Sequence, residues 1–209
     1  MEMAIEILVF LYIRGKFLGC LLYTSKLRQA QGKKKSIWKE MISWIFYLLL
    51  LFGAVYLIVH YVGERTQVRG DSMYPSLCDG DNLIVDKISY RFSDPGRYDI
   101  VVFPFRYQEG MFYIKRVIGL PGETVQIQDG NIYINGKILK EPYGNEPIRN
   151  PGLASEAITL GQDEYFVLGD NRNNSADSRE PSVGCISRED IIGRAVLRIW
   201  PASSIGFLN

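Results

Sequence analysis

From Ile42 to Val62 the chain reads ISWIFYLLLLFGAVYLIVHYV, 21 residues without a formal charge. At ~1.5 Å rise per residue such a run crosses a hydrocarbon core of ~30 Å, so the pattern predicts a transmembrane helix. Trp44 and Tyr61 lie near its two ends, where amphipathic rings favour the interface, and Lys33, Lys34, Lys35 and Lys39 precede it. That excess of cations predicts a cytoplasmic N-terminus, a single pass through the plasma membrane and an extracytoplasmic remainder. A cleaved signal peptide is the alternative. The run exceeds a usual h-region, however, and no small-x-small site follows closely.

After Gly63 the periodicity changes. Short runs rich in β-branched and aromatic residues, NLIVDKI, YDIVVF, FYIKRVIG, TVQIQ, NIYING, YFVLG and IIGRAVLRIW, alternate with PGE, QDG, ING and LGD. Residues 63–209 therefore read as one β-sheet domain. Asp129-Gly130 and Asn135-Gly136 mark hairpin turns. Lys140 to Gly161, with three prolines and three glycines, reads as an inserted loop, so that about 129–164 is expected to form a small cap. Residues 1–41 form a basic segment without a clean second span, because Glu6, Arg14 and Lys16 interrupt its apolar stretches. The hexapeptide Cys20–Ser25 resembles a translated transposon end used in preparing sequencing libraries. Residues 1–25 thus stand open between an assembly artefact and a genuine amphipathic N-terminus.

Composition narrows the chemistry more than the fold. The 209 residues carry a net charge of +1 and are 47% apolar, which excludes a mainly disordered chain and gives no pull toward nucleic acid. The charge is unevenly spread, with 8 Lys/Arg against 3 Asp/Glu in residues 1–41 and 16 against 20 in the rest. The single histidine, His60, lies inside the apolar run, so a Ser-His-Asp triad, a Cys-His dyad and a His-rich metal site are all excluded. Cys20, Cys78 and Cys185 are too few for a disulfide framework and lack zinc-ligand spacing. No metal and no cofactor is expected. Hydrolytic chemistry in this chain must use a base other than histidine.

Four short stretches carry candidate chemistry. Val68 to Leu77 (VRGDSMYPSL) holds Ser72 between Asp71 and Met73. Taken alone, such a serine is as well explained by a turn. Tyr98 to Phe103 (YDIVVF) reads as a buried strand. In Tyr113 to Glu123 (YIKRVIGLPGE), Lys115 lies within an otherwise apolar strand, and alternation puts Tyr113, Lys115 and Val117 on one face. A lysine so placed either extends to solvent or is partly buried with a depressed pKa. Gly169 to Arg179 (GDNRNNSADSR) is almost entirely polar, a flexible loop unless its side chains form a network.

In this order, after an N-terminal anchor, the four motifs resemble those of bacterial type I signal peptidases, membrane-bound Ser/Lys proteases. The resemblance covers about residues 42–209. It implies a mainly β chain, in which a transmembrane helix precedes an antiparallel, barrel-like catalytic domain with a small cap. It also implies cleavage of exported precursors after a small-x-small motif, without cofactor, with secretory precursors and membrane lipid as partners. Carried over by motif, the nucleophile falls on Ser72, the general base on Lys115 and the serine that orients the base on Ser175. Asp170, Arg116, Asp177 and Arg179 form the supporting polar network. Val68, Met73, Leu77, Tyr113 and Ile114 are the candidates for lining substrate pockets.

The chemistry of the residues agrees with that assignment. A serine hydroxyl needs a base, and a neutral lysine can serve if apolar neighbours such as Tyr113, Ile114 and Met73 lower its pKa from ~10.4 by roughly two or more units. Gly70 stands two residues before the nucleophile, where some members have a serine that assists the oxyanion, and Ser76 stands where Thr is usual. The glycine and the short cap resemble the Gram-positive branch, and leave backbone amides, the Ser72 N–H first, as oxyanion donors. Self-cleaving repressors share a Ser/Lys dyad but are soluble. An endoplasmic-reticulum-type peptidase would carry His in place of Lys115. A membrane-tethered binding protein is the non-enzyme alternative, and would be indifferent to Ser72→Ala.

Overall fold

The computed structural model describes residues 37–61, 63–144 and 146–208. The segment before Ile37, with the hexapeptide Cys20–Ser25 and Lys33 to Lys35, lies outside the described residues. So do the side chains of 54–62, His60 among them. The chain divides into two compact units, residues 1–52 and 53–209.

The apolar run forms the helix α1, Ile37–Tyr61. From Ile42 to Phe52 its large apolar side chains are exposed on every side of the helix. Among the described residues, with the side chains of 54–62 left aside, no helix is long and apolar enough to cross a membrane.

The second unit is built from β1 (Gly63–Gln67), β2 (Asn82–Asp86), β3 (Ile100–Pro104), β4 (Phe112–Gly119), β5 (Thr124–Gln128), β6 (Asn131–Ile134), β7 (Lys137–Ile138), β8 (Ile158–Thr159), β9 (Glu164–Leu168), β10 (Ile186–Ser187), β11 (Gly193–Trp200) and β12 (Gly206–Phe207). All pairings among them are antiparallel. The larger sheet runs β1-β2-β11-β3-β4-β9-β10, with β12 on β11, and the smaller runs β7-β6-β5-β8. The barrel-like expectation is corrected here, because β1 and β10 end the larger sheet without pairing to each other. With Glu64 and Arg65 exposed on β1 and only two residues in β10, neither edge offers the length or apolar face that closure needs. The domain is two open antiparallel sheets.

The segment expected as a cap contributes three of the four strands of the smaller sheet, β6, β7 and β8. Between 139 and 157 it is irregular apart from a 3-10 turn at Gly152–Ser155. Both hairpins form where the sequence places them. Asp129 and Gly130 have φ of 50° and 76°, and Asn135 and Gly136 have φ of 51° and 75°. Two successive positive φ values define the I′ turn, whose twist matches the flanking strands.

Three apolar clusters hold the sheets and fix the motifs. Ile118, Val125, Ile127, Ile132, Leu160, Phe166 and Leu168 join the small sheet to the inner strands of the large one. Val101, Phe103, Val117, Tyr165 and Val167 fill one face of β3, β4 and β9. Val68, Met73, Leu77, Leu83, Ile100 and Ala195 lie beneath the serine motif. Buried on both faces, β3 and β4 form a rigid platform, and β4 carries a register irregularity between Val117 and Gly119, just past the lysine.

Candidate active site

The serine motif is an irregular loop between β1 and β2, held by its own apolar residues. Val68 N–H donates to Asp81 O (2.8 Å) and Gly80 N–H to Val68 O (3.0 Å), which closes the loop at its base. Gly70 has φ of +80°, a conformation that favours glycine, and its N–H donates to Asp79 Oδ1 (2.7 Å). One turn then runs from Asp71 to Leu77, with Met73 and Leu77 fully buried as its anchors. Ser72 sits half-buried on that turn.

Lys115 comes from the middle of β4, opposite Val101 of β3, and is 3% exposed. Alternation holds as the sequence implies, since the ammonium lies 5.1 Å from the centroid of the Tyr113 ring, two residues earlier on the same face. Its Nζ is 2.8 Å from Ser72 Oγ and donates to Ile114 O (3.0 Å). The two residues proposed for nucleophile and base, 43 positions apart, are thus in direct contact.

The closing loop, Gly169 to Arg179, joins the two motifs. Asn171 N–H donates to Ser72 O, and Asn171 Nδ2 donates to Asp71 O, both at 3.0 Å. Asp170 is completely buried and takes both arms of the Arg116 guanidinium, Nε to Oδ1 at 2.9 Å and Nη2 to Oδ2 at 2.7 Å. Arg116 follows the base on β4, so the strand that presents Lys115 also anchors the loop that holds Ser72. Asp177 pairs in the same forked way with Arg179, at 2.8 Å on each arm, and accepts the Gly169 N–H (3.0 Å). The polar loop is ordered because each of its two buried carboxylates has a bidentate guanidinium.

These pairs explain the state of the lysine. Burial pulls the Lys115 pKa down from 10.5 to about 8, against the opposing pull of the Asp177 and Asp170 charges. With each carboxylate answered by its own arginine, desolvation wins. One implied contact is corrected: Ser175 does not bond the lysine. Its Oγ is buried without a hydrogen-bond partner, whereas Nζ is engaged by Ser72 and the carbonyl of its own strand. The pocket candidates also divide. Tyr113 and Ile114 are half-buried beside the dyad, but Val68, Met73 and Leu77 belong to the core beneath the loop, with Met73 and Leu77 at 0% exposure. No cluster of three or more His, Cys, Asp or Glu suited to a metal occurs among the described residues.

The family described as "Signal peptidase, peptidase S26" matches residues 39–200. The chain belongs to this signal peptidase family. Similar curated proteins include a signal peptidase I of Leptolyngbya laminosa, 44% identical over 71% of this chain and 74% of that protein. A probable signal peptidase I-2 of Synechocystis sp. is 42% identical over 71% and 68%, and signal peptidase IB of Staphylococcus aureus is 30% identical over 81% and 94%. The activity is that of a signal peptidase I, a serine-type endopeptidase.

Within this signal peptidase the structure adds residues that the sequence did not single out. A Cβ on Gly169 would overlap Ser175 Oγ and the Ser72 carbonyl, and would lie 2.6 Å from Ser175 Cβ. Glycine is needed there for space, since Gly169 is not among the residues with positive φ. Asn171, Glu141 and Tyr143 likewise gain meaning only from their contacts. The motif string contained Gly169 and Asn171, but a single sequence does not separate a spacing glycine from a turn glycine.

Proposed function

We propose that the chain cleaves signal peptides from exported precursors with Ser72 as nucleophile and Lys115 as general base. The 2.8 Å approach of Nζ to Oγ, at a lysine buried enough to be substantially neutral near pH 8, carries this reading. Ser72 Oγ attacks the scissile carbonyl and passes its proton to Lys115, which delivers it to the departing amine. Water then attacks the acyl-enzyme, giving its proton to the now neutral Lys115 Nζ, which passes it to Ser72 Oγ as the ester bond breaks. The cleaved signal peptide leaves with a carboxylate, and Ser72 regains its proton. The Ser72 N–H, which makes no hydrogen bond among the described residues, is the first candidate for holding the oxyanion. Asp170, Arg116, Asp177 and Arg179 hold these groups in register, and Ser175 lies at the same face of Gly169 as the Ser72 carbonyl.

Specificity follows from an extended substrate laid beside a strand. Alternate side chains then point into the enzyme, and positions −1 and −3 are read together. Tyr113 and Ile114 are the half-buried candidates for those subsites, and Ile114 packs on the buried cluster of Val68, Met73 and Leu77. The test uses detergent-solubilised protein and a secretory precursor, with Ala, Phe or Lys at −1. Cleavage is expected for Ala only and is expected to vanish in Ser72→Ala. Equal cleavage of the Phe and Lys precursors would overturn the specificity, and an active Ser72→Ala enzyme the mechanism.

The same reading makes α1 a membrane anchor. The 21-residue uncharged run and the outward apolar side chains support it, because such a helix is stable in lipid and poorly soluble in water. With the lysines before it in the cytoplasm, residues 63–209 lie outside, beside the lipid surface where precursors emerge. Protease added to wall-stripped cells is expected to degrade the catalytic domain. Its full protection would reverse the topology.

A further inference from the structure

The irregular segment 139–153 grips the closing loop along its length. Buried Arg172 pairs with Glu141 (Nη1 to Oε1, 2.5 Å), and the Arg149 N–H donates to Asn173 Oδ1 (2.9 Å). Asn173 Nδ2 donates to Pro147 O (3.0 Å), Arg179 Nη1 to Asn150 O (3.2 Å) and Leu153 N–H to Arg179 O (2.9 Å). At the end nearest the base, Tyr143 lies over Arg116, with the guanidinium carbon 3.6 Å from the ring centroid, and its ring also packs on Tyr98 at 5.1 Å. The edge of that guanidinium is taken by Asp170, and Nη1 donates to Tyr98 O (2.9 Å). Nη2 also donates to Ser76 Oγ (3.3 Å), and the aromatic ring covers one face of the guanidinium.

We propose that Tyr143 is a positioning residue for cleavage: its ring seals the Arg116–Asp170 pair from water, and that pair holds Asn171, hence Ser72, at the base. A guanidinium–carboxylate pair open to water is weak and screened by salt, whereas a desolvated one attracts through a lower dielectric and is screened much less. An aromatic face is the one cover that both excludes water and attracts the cation. The chain of contact is continuous. Tyr143 touches Arg116, Arg116 clamps Asp170, and the next residue, Asn171, bonds both Asp71 O and Ser72 O. Tyr143 touches neither reacting group, so its effect is on geometry rather than on substrate affinity.

This inference rests on the Ser72/Lys115 reading, and the experiment separates the two. Steady-state cleavage of a fluorogenic precursor peptide is measured for the full chain in detergent, for Ser72→Ala, Tyr143→Leu and Tyr143→Phe, each checked for folding by thermal melting. Tyr143→Leu is expected to lose kcat on the order of tenfold to a hundredfold with KM unchanged, as a displaced nucleophile does. The loss should deepen between about 50 and about 500 mM salt, because the exposed pair is screened, while the parent enzyme stays flat. Tyr143→Phe keeps the ring and should restore kcat to within about twofold. A folded Tyr143→Leu enzyme with parental kcat overturns the inference, as does a loss equal in Tyr143→Phe or independent of salt. Should Tyr143→Leu fail to fold, Tyr143→Met replaces it in the same salt series, since it keeps apolar bulk without the aromatic face: the same salt-dependent loss of kcat is expected, and a folded Tyr143→Met enzyme with parental kcat overturns the inference. Activity in Ser72→Ala would instead remove the catalytic reading beneath it.

Discussion

Lys115→Arg is expected to fold and to cleave essentially nothing. The argument begins with burial. At 3% exposure the ammonium has lost most of its hydration, and its pKa falls to about 8. The Ser72 proton can move to Nζ only when the amine is neutral, so kcat/KM of the parent should rise with pH and level off above about 8. Arginine keeps the cation but holds its proton at any working pH, and therefore cannot accept one. Lys115→Met, which keeps apolar bulk and loses only the amine, should be equally inactive. Its stability should move the other way. The folded pKa lies below the unfolded one, so the folded state suffers the full cost of burying the charge below about 8, and that cost fades as pH rises toward 10.5. Relieving it should make Lys115→Met more stable than the parent at pH 7, by on the order of 3 kcal/mol if nothing else changes. Above pH 10.5 the difference should vanish. Substantial cleavage by a folded Lys115→Arg enzyme would falsify the Ser/Lys mechanism, since the lysine would then act only as a fixed charge.

Gly169→Ala is expected to cost on the order of 100-fold in activity by adding one methyl group against the backbone of Ser72. The added carbon would overlap both the Ser72 carbonyl and the Ser175 side chain. The Ser72 carbonyl cannot yield freely. The Ser72 carbonyl is bonded by the Asn171 N–H, and the Gly169 N–H is bonded to buried Asp177, which is itself locked in a fork with Arg179. The strain must therefore move Ser72 away from Lys115, and a shift of ~1 Å costs on the order of 100-fold in rate. Turnover at saturating substrate, together with a thermal melt, checks this. The expected pattern is a loss of kcat with a modest drop in melting temperature. Near-parental kcat in Gly169→Ala would mean that the loop relaxes elsewhere and that the packing at Gly169 does not position the nucleophile.

The elements that depend on local rules were legible in the sequence. Asp129-Gly130 and Asn135-Gly136 specify their turns because Asp, Asn and Gly tolerate the successive positive φ values that a two-residue hairpin turn needs. The alternation that puts Tyr113 and Lys115 on one face is a property of any strand, and the 21-residue uncharged run is readable from hydropathy alone. The order of the four motifs brought the dyad within reach of a resemblance before any coordinates did. Sheet closure was not readable, since it depends on whether β1 and β10 meet, a question of edges far apart in the chain. The state of the five pocket candidates was equally hidden. Apolar character qualifies Met73 and Leu77 for a pocket and for a core alike, and only packing assigned them to the core.

The sequence by itself set aside histidine as a base, since the one histidine lies in an apolar run, and the resemblance carried by the motifs made Ser72 and Lys115 the candidates for hydrolysis. Only the tertiary structure decided that they touch, and that the lysine is buried enough for its pKa to fall. Contact across 43 residues of chain and the loss of hydration are both set by what packs around a group rather than by its neighbours in sequence. The same holds for Gly169, Asn171 and Tyr143. Their chemistry is ordinary, and their importance comes from the atoms that folding places beside them.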